Sequence, residues 1–580
     1  MKNLLKYLGN YKKEAVIGPL FKMLEAAFEL LVPVVMARII DVGIRNQDRP
    51  YIWRMCFLLI FFGVLGLCCS LTAQYFAAKA ALGFSAELRS DLYRHINRFS
   101  YHELDRAGTA ALVTRMTSDV NQVQNGVNLM LRLFLRSPFI VVGAVFMAFT
   151  ISRKLTLIFI AAILLLSLVI FLIVRTTLPI YRRVQQILDT VVRRVRENYV
   201  GARVVRAFSR QQDEKKEFEE TTGLLKKTQL LAGRISAMMN PLTYALVNGA
   251  IIWILLLGGG QVYSGSVTQG EMTALVNYMM QILLALVALA NLIVTVTRAL
   301  ASAVRVNDVF AMEVTMTDEG NTVQKEKENS PRVAFKQVTF AYDHAKEPSL
   351  SDISFEAWPG ETIGIIGGTG SGKTTLVSLI SRFYDCQEGR VEVDGRDVRQ
   401  YPFCQLRRKV AMVPQKAVLF AGTIRQNLMW GKEDATTEEM EKALKTAQAL
   451  DFVREKPEGL DTAVAPGGKN FSGGQRQRLT IARALTADAP ILILDDSSSA
   501  LDFATDAALR RELRENTQGK TVFLVSQRVA AVQSADRILV LDDGHLAGQG
   551  SHSELLADCP VYREICLSQL SREEVTAYEQ

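Results

Sequence analysis

The sequence has no paired C-x-x-C spacing. Its seven cysteines, Cys56, Cys68, Cys69, Cys386, Cys404, Cys559 and Cys566, are scattered. That excludes a structural zinc site and a secreted disulfide framework. Charge is missing from long stretches. None lies between Arg54 and Lys79, and none between Lys154 and Arg175. Between Arg234 and Arg298 the only charged residue is Glu271. A buried core helix needs about 10–14 apolar residues, and these runs are longer. The start, MKNLLKYLGNYKKE, has no clear small-residue cleavage site after it. It reads as an amphipathic helix on the cytoplasmic membrane surface and not as a cleaved signal peptide. The 580 residues are 22% charged and 49% hydrophobic, which excludes a disordered or fibrous chain. Mean hydropathy is +0.14, and the apolar residues crowd into the first half. A net charge of +8 suits nucleic acid or anionic lipid. The uncharged runs select lipid, and no nucleic-acid partner is expected.

Spanning the hydrocarbon takes about 20 mainly apolar residues. Six spans are predicted, at about 17–40, 55–78, 133–152, 155–175, 236–258 and 272–297. Four are clear. The first carries Glu25 and Glu29, and the third follows Arg132 and Arg136. Gly258-Gly259-Gly260 through Gly270 supplies the turn between the last two. The connections at 79–131 and 176–234 are rich in Arg and Lys, which places them in the cytoplasm. Arg45, Arg49, Arg153 and Lys154 on the opposite face blur that bias. An even number of spans leaves both termini inside. Within the two long connections, SAELRSDLYRHINRF and TVVRRVRENYVGARVVRAF have apolar residues at helical spacing. They predict spanning helices that continue out of the membrane and turn back, as rigid hairpins able to touch a cytoplasmic domain. The membrane domain is thus 1–310, followed by a polar linker at 311–331 and a second domain at 332–580.

The second domain opens with a phosphate cradle. Gly367-Gly368-Thr369-Gly370-Ser371-Gly372-Lys373-Thr374 fits G-x-x-x-x-G-K-[ST]. Thr362–Ile366 reads as a buried strand before it, and the stretch from Thr375 to Ile380 as a helix after it. The glycines let backbone N–H groups turn inward around phosphates, and the helix N-terminus adds its positive end. Lys373 would reach the β- and γ-phosphates of ATP, and Thr374 would ligate Mg²⁺. A second apolar strand, Ile491–Leu494, ends in Asp495-Asp496. Asp495 at that strand end takes the role of holding Mg²⁺ through water.

These motifs, with those that follow them in order, resemble a half-transporter of the ATP-binding cassette (ABC) exporter family. Phe471-Ser472-Gly473-Gly474-Gln475 resembles the family signature, Val413-Pro414-Gln415 the Q-loop, and Ser499-Ala500-Leu501-Asp502 the D-loop. Tyr342 stands where the family sets an aromatic ring against adenine. Leu419–Ile424 and the stretch from Gly544 to Leu556 fit as well. The resemblance covers nearly all of 332–556, and the six spans cover the rest. It implies an α-helical membrane domain of six transmembrane helices with long cytoplasmic extensions, joined to an α/β P-loop cassette. It also implies residence in the cell membrane, with the cassette cytoplasmic. It implies ATP-driven transport with ATP and Mg²⁺ as cofactors, and a nucleotide site that includes Thr375. Two cassettes would pair head to tail. Each ATP would then lie between the P-loop of one chain and Ser472, Gly473, Gly474 and Gln475 of the other, with Asp502 nearby. Gln415 would sense Mg²⁺ and the γ-phosphate and relay this to the hairpins.

The chain departs from the family pattern where hydrolysis occurs. The Mg²⁺-binding Asp is normally followed by Glu, and here Asp496 follows. The shorter carboxylate is drawn back by roughly 1–1.5 Å, and a misplacement of about that size can cost on the order of a hundredfold in rate. The switch His is replaced by Gln527, which cannot take a positive charge. Val464-Ala465-Pro466-Gly467-Gly468 lacks the Gly-Glu pair typical of exporters. Together these resemble the slow-site subunit of asymmetric heterodimeric bacterial exporters, often multidrug transporters. A different partner chain would supply the Glu and His of the fast site.

The expected function is efflux of small amphipathic or drug-like compounds. Two rivals stand beside it: an ATP-sensing regulatory subunit, and an active homodimeric lipid or peptide exporter. The intact signature argues against a pure sensor. Glu25 and Glu29, one helical turn apart, would favour cationic cargo if they face a cavity. Gln74, Asn248, Asn277, Gln281 and Asn291 are further cavity candidates, as are Phe61, Phe62, Tyr244 and Tyr278. Helix-to-helix hydrogen bonds and plain packing explain the same residues equally well.

Overall fold

The computed structural model of the chain describes residues 4–318, 329–343, 345–498 and 500–570. The chain falls into two compact units, 1–97 with 110–312, and 98–109 with 313–580. The first unit is all helix. Its runs are Lys12–Arg38, Arg49–Ile96, Thr109–Ile151, Arg153–Val200, Gln211–Tyr263 and Gln269–Phe310. The last five are long and apolar enough to cross a membrane. In the first run, every stretch long enough to span contains Lys22, Glu25 and Glu29. The helices Arg49–Ile96 and Arg153–Val200 have 48 residues each. At 1.5 Å per residue that is roughly 70 Å, more than twice the ~30 Å of hydrocarbon. The predicted spans therefore do continue as rods beyond the membrane.

Local sequence sets the ends of these helices. Asp48 accepts a hydrogen bond from the Tyr51 amide at 3.1 Å, with Pro50 in the first turn where its missing N–H costs nothing. Thr268 and Glu271 form a reciprocal capping box at the start of Gln269–Phe310. The turn before it lies at 264–268 and not at the glycine triplet. Gly258 stays helical and buried because a Cβ there would meet the Met272 side chain at 2.4 Å. Helices approach closely along the buried alanines 73, 77, 80 and 81, where Gly18 packs on the Ala77 backbone.

The polar groups of the spans have partners that the sequence did not name. Lys22 pairs with Glu25 at 2.6 Å and donates to Ser70 at 3.0 Å. Arg136 pairs with Glu29 at 2.8 Å. Neither glutamate is an unpaired anion, so the expectation that they would favour cationic cargo is not supported by this pairing. Tyr278 is fully buried and donates to the Leu30 carbonyl at 2.8 Å, which makes it core and not cavity lining. Gln74 donates to Ser70, and Asn277 and Gln281 donate to backbone carbonyls. The N-terminal segment also differs from the expected surface helix. It is a tight turn at Leu4–Tyr11, with Leu4 and Tyr7 buried and the Tyr7 ring against Phe84 and Phe310.

The second unit is built on a six-stranded sheet. In spatial order its parallel strands are Val410–Val413, Ile491–Asp495, Thr521–Val525, Thr362–Gly367 and Arg537–Asp542. His545–Gly550 closes the edge antiparallel. The central strands are buried on both faces and read as continuous apolar runs. A four-stranded sheet orders Leu350–Ala357, Val333–Phe340, Glu388–Val393 and Arg396–Asp397. Helices Ile424–Met429, Thr437–Thr446, Leu450–Arg454 and Gly473–Thr486 form a separate packed block. The tip of the first long hairpin belongs to this unit. Its helix Tyr101–Ala107 sets the Tyr101 ring 4.7 Å from Phe383, and Asp105 accepts from the Tyr384 hydroxyl at 2.7 Å. Glu103, 3% exposed, accepts from the Thr315 amide at 3.1 Å. Of the expected linker, residues 319–328 lie outside the described residues, as do Ser499 and the end of the second domain from 571.

One turn fixes the outer end of the membrane unit. Asp41 accepts from the Gly270 amide at 2.8 Å and from the Thr268 hydroxyl. A Cβ at Gly270 would sit 2.3 Å from the Ala37 carbonyl oxygen. Gly270→Ala should therefore cost about 1–3 kcal/mol through forced backbone shifts. A thermal scan of the purified protein should show a lowered midpoint. Gly249→Ala, with no atom within 4 Å of the new methyl, should leave the midpoint unchanged or raise it.

Candidate functional site

The strand Thr362–Gly367 ends in the glycine-rich loop, and the helix Lys373–Ile380 starts from it. Gly372 has φ +94°, a left-handed conformation, and a Cβ there would lie 2.6 Å from the Ser349 carbonyl oxygen. Only glycine closes this turn without strain. The loop wraps a cavity of about 310 Å³. Its wall includes Thr369, Gly370, Ser371, Gly372, Lys373, Thr374 and Thr375. Tyr342, Gln415, Asp495, Asp496 and Gln527 complete it from four other segments, so residues spread over 186 positions of sequence meet there. Gly367 and Gly368 form the loop's first turn, and their carbonyls accept from the Lys373 ammonium.

The electrostatics suit a bound polyanion with a cation. Burial pushes the Lys373 pKa down, against the pull of the Asp496 and Asp495 charges. Burial pushes the Asp495 carboxyl up, Asp496 adds to the rise, and the Thr374 hydrogen bond opposes it. Asp496 is also raised by burial, against a hydrogen bond from Gln415 and the charges of Arg528 and Lys373. Two adjacent carboxylates thus sit in a partly dry site with too little positive charge. The Thr374 hydroxyl donates to Asp495 at 3.1 Å, which brings the two expected Mg²⁺ ligands together. Hard oxygen donors and one or two carboxylates beside a phosphate cradle fit Mg²⁺, which is seldom held by an all-protein cage. No group of three His, Cys, Asp or Glu able to hold a metal occurs among the described residues, in keeping with that mode.

Tyr342 lies at the other end of the cavity. Its hydroxyl is 3.0 Å from the Thr375 hydroxyl, and its ring meets Phe340 and Tyr384 edge-on. One ring face stays available for a flat base. Asp496 has φ +44°, an uncommon state for a residue with a side chain, and its amide donates to the Val525 carbonyl at 2.9 Å. Gln527 is held from behind. Gln569 of the last described helix, Pro560–Gln569, donates to the Gln527 carbonyl at 2.7 Å and accepts from the Val529 amide at 2.9 Å.

The remaining expected site residues are elsewhere. Ser472, Gly473, Gly474 and Gln475 start the helix Gly473–Thr486, with Ser472 and Gln475 locked in a capping box. Ser472 and Gly473 are exposed and do not line this cavity. Asp502 caps the helix Phe503–Asn516, accepting from the Thr505 amide at 2.9 Å and from its hydroxyl. Backbone hydrogen bonding from Thr505 holds its carboxyl below the ordinary range. Sequence reasoning missed Ser349 and Val525, which line the cavity, and Arg528 and Gln569. Arg528 directly follows Gln527 and was within reach of the motif. Gln569 lies 42 residues downstream with no local signal.

Comparison with known proteins gives three findings. The family described as "ABC transporter transmembrane region" matches residues 15–286, and that described as "ABC transporter" matches 350–499. The chain is 36% identical over 574 residues to "Uncharacterized ABC transporter ATP-binding protein YfiB" of Bacillus subtilis (strain 168), covering 99% of each. It is 28% identical over 569 residues to "ATP-dependent lipid A-core flippase" of Vibrio cholerae, covering 97% of each. In fold it is similar to a bacterial Atm1-family ABC exporter solved with ATP bound. That match has a TM-score of 0.78 at 23% identity and covers 97% of this chain and 99% of that one.

Lys373 is the one cation among the cavity-lining residues. Hydrogen bonds to charged groups are each worth about 1.5–3 kcal/mol. Lys373→Ala should therefore weaken ATP binding roughly 10- to 100-fold, read by equilibrium binding of a fluorescent ATP analogue. Equal affinity in variant and parent would contradict the assignment.

Proposed function

From the premise that the chain belongs to the ABC transporter family, as a half-exporter coupling ATP to transport, we propose that it pairs with a different half-transporter and supplies the slow ATP site. The observation that carries this reading is the pair Asp496 and Gln527. Both line the cavity that holds the P-loop, where the family's pattern has Glu and His. The Asp496 side chain is one methylene short and is engaged by Gln415. A carboxylate so placed is drawn back from a water in line with the γ-phosphate, and general-base help falls steeply with misplacement. Gln527 offers hydrogen bonds without positive charge.

The chain's own residues have separable tasks. Tyr342 stacks the base. The amides of Gly370–Thr374 and the Lys373 ammonium bind and orient the phosphates. Thr374 and Asp495 hold Mg²⁺, which when bound neutralises charge between the β- and γ-phosphates. The exposed Ser472–Gln475 turn presents its hydroxyl, amides and helix N-terminus away from its own cavity, which suits a phosphate held by another chain.

A second cassette chain also accounts for two apolar surfaces. The tip of the second long hairpin leaves Tyr199, Val200 and Phe208 at 86%, 82% and 74% exposure. On the second unit, Phe420 and Trp430 stack at 4.2 Å and are both exposed. Burial of such patches is what a partner provides. The cargo in this reading is a small amphipathic compound. The relative named a lipid A-core flippase favours a lipid-like member of that class.

The purified chain alone should hydrolyse ATP slowly, and adding its partner should raise turnover sharply. In the pair, Asp496→Asn should lower turnover only modestly. Ser472→Arg should remove most of it, because losing one preorganised donor typically costs on the order of 10²–10³ in rate. Fast turnover by a homogeneous homodimer, or the reverse order of the two effects, would overturn the reading.

A further inference from the structure

The membrane unit holds an unbalanced charge cluster. Its spans and their immediate starts carry Lys22, Glu25 and Glu29 on the first helix and Arg132 and Arg136 on the third. Lys22 is matched by Glu25 and Arg136 by Glu29. Arg132 is not matched. Among the described residues its guanidinium has no hydrogen bond or ion pair, and its Nε is buried without a partner. Three cations stand against two carboxylates, so the cluster has a surplus of one positive charge.

Further unsatisfied polar atoms gather at the same place. Asn128, Arg132 and Arg136 follow one another at four-residue spacing along Thr109–Ile151, and so share one face of that helix. The Arg136 Nε and the Asn128 Oδ1 are buried without partners. Gln281, whose amide nitrogen donates to the Glu29 carbonyl, leaves its Oε1 buried and unpartnered. Ser137, fully buried, leaves its hydroxyl in the same state. Unmatched polar atoms in lipid each cost free energy, and an unpaired cation costs most. Scattered orphans would be unremarked. Here they converge on the first, third and sixth helices around one surplus cation. The unmatched N–H groups of two arginines suit an anion, and the unmatched amide and hydroxyl oxygens suit hydroxyl groups beside it.

We propose that Arg132 and Arg136, with Asn128 and Gln281, bind the anionic, hydroxyl-bearing headgroup of an amphiphile, such as a phosphate monoester, as the cargo-recognition site of the membrane unit. The proposal rests on the exporter reading and gives its cargo a charge. Glu25 and Glu29 are then not the selectors of cationic compounds. They hold Lys22 and Arg136 in place and leave Arg132 as the free charge.

The test is binding of tritiated dodecyl phosphate to the full-length chain with its partner in phosphatidylcholine nanodiscs, read by scintillation proximity. Binding needs no hydrolysis, so its outcome is separate from that of the exporter reading, which is followed in parallel as ATPase activity with and without Lys373→Ala. Dodecyl phosphate should bind, with dodecyl maltoside and dodecyltrimethylammonium competing poorly. Arg132→Gln should weaken binding on the order of tenfold, the loss of one charge-assisted contact. Arg132→Lys should retain most of it. Glu25→Gln, which enlarges the positive surplus, should tighten binding, a gain that misfolding cannot mimic. Repetition in phosphatidylglycerol nanodiscs separates two sources of the headgroup. Binding lost there assigns the site to a bulk lipid, and binding retained assigns it to cargo. Equal affinity for the cationic and anionic amphiphiles, or an Arg132→Gln affinity equal to the parent's with no gain in Glu25→Gln, would overturn the proposal.

Discussion

Hydrocarbon offers no hydrogen bonds, and the architecture of the first unit follows from that. Backbone groups inside the bilayer must be satisfied within the segment, so the chain has to cross as uninterrupted helix. Once a helix is obliged to run without a break, continuing it is cheap, because propagation costs far less than nucleation. The 48-residue helices are the outcome. The same constraint acts on side chains. Lys22 lies beside Glu25 and Ser70, Arg136 beside Glu29, and Asp41 on the exposed amide of Gly270. Where the matching fails, at Arg132 and its neighbours, the failure is local and of one sign.

The cassette obeys the opposite rule. Its site is charged by design and is short of positive charge. Asp495 and Asp496 are adjacent, partly dry and raised in pKa, while Lys373 is lowered by the same burial. A site in that state is poised for a ligand that brings its own cation. The signature turn has no such tension. Its capping box satisfies the local amides and leaves the serine side exposed.

Much of this was legible in the sequence because it is local. The glycine-lysine loop, the apolar strand ending in Asp495 and the serine that starts the signature helix are each fixed by a few consecutive residues. The long uncharged runs announced their spans for the same reason. What could not be read was pairing across distance. The partner of Glu29 is 107 positions away, and nothing near either residue specifies it. Lys22 disguised the first span by adding a charge that the fold neutralises. The glycine triplet at 258–260 promised a turn but serves close packing against Met272. Asp502, named for a place at the nucleotide, is a helix cap, and the two roles share one residue type. Gln569 braces Gln527 from a helix with no motif of its own.

The excursion at 98–109 has a consequence for how force passes along the chain. The helices before and after it lie in the first unit, while the short helix Tyr101–Ala107 is packed into the second by Tyr101, Glu103 and Asp105. The boundary between the units is therefore crossed by three stretches of polypeptide and not by one. Two of them are the ends of the same docked turn. Helices Arg49–Ile96 and Thr109–Ile151 thus share an anchor and cannot be drawn in different directions at that end. The second unit grips them as a yoke grips two shafts. No single cut in the backbone would free a complete cassette, because one piece of its packing is encoded two hundred residues upstream of the rest.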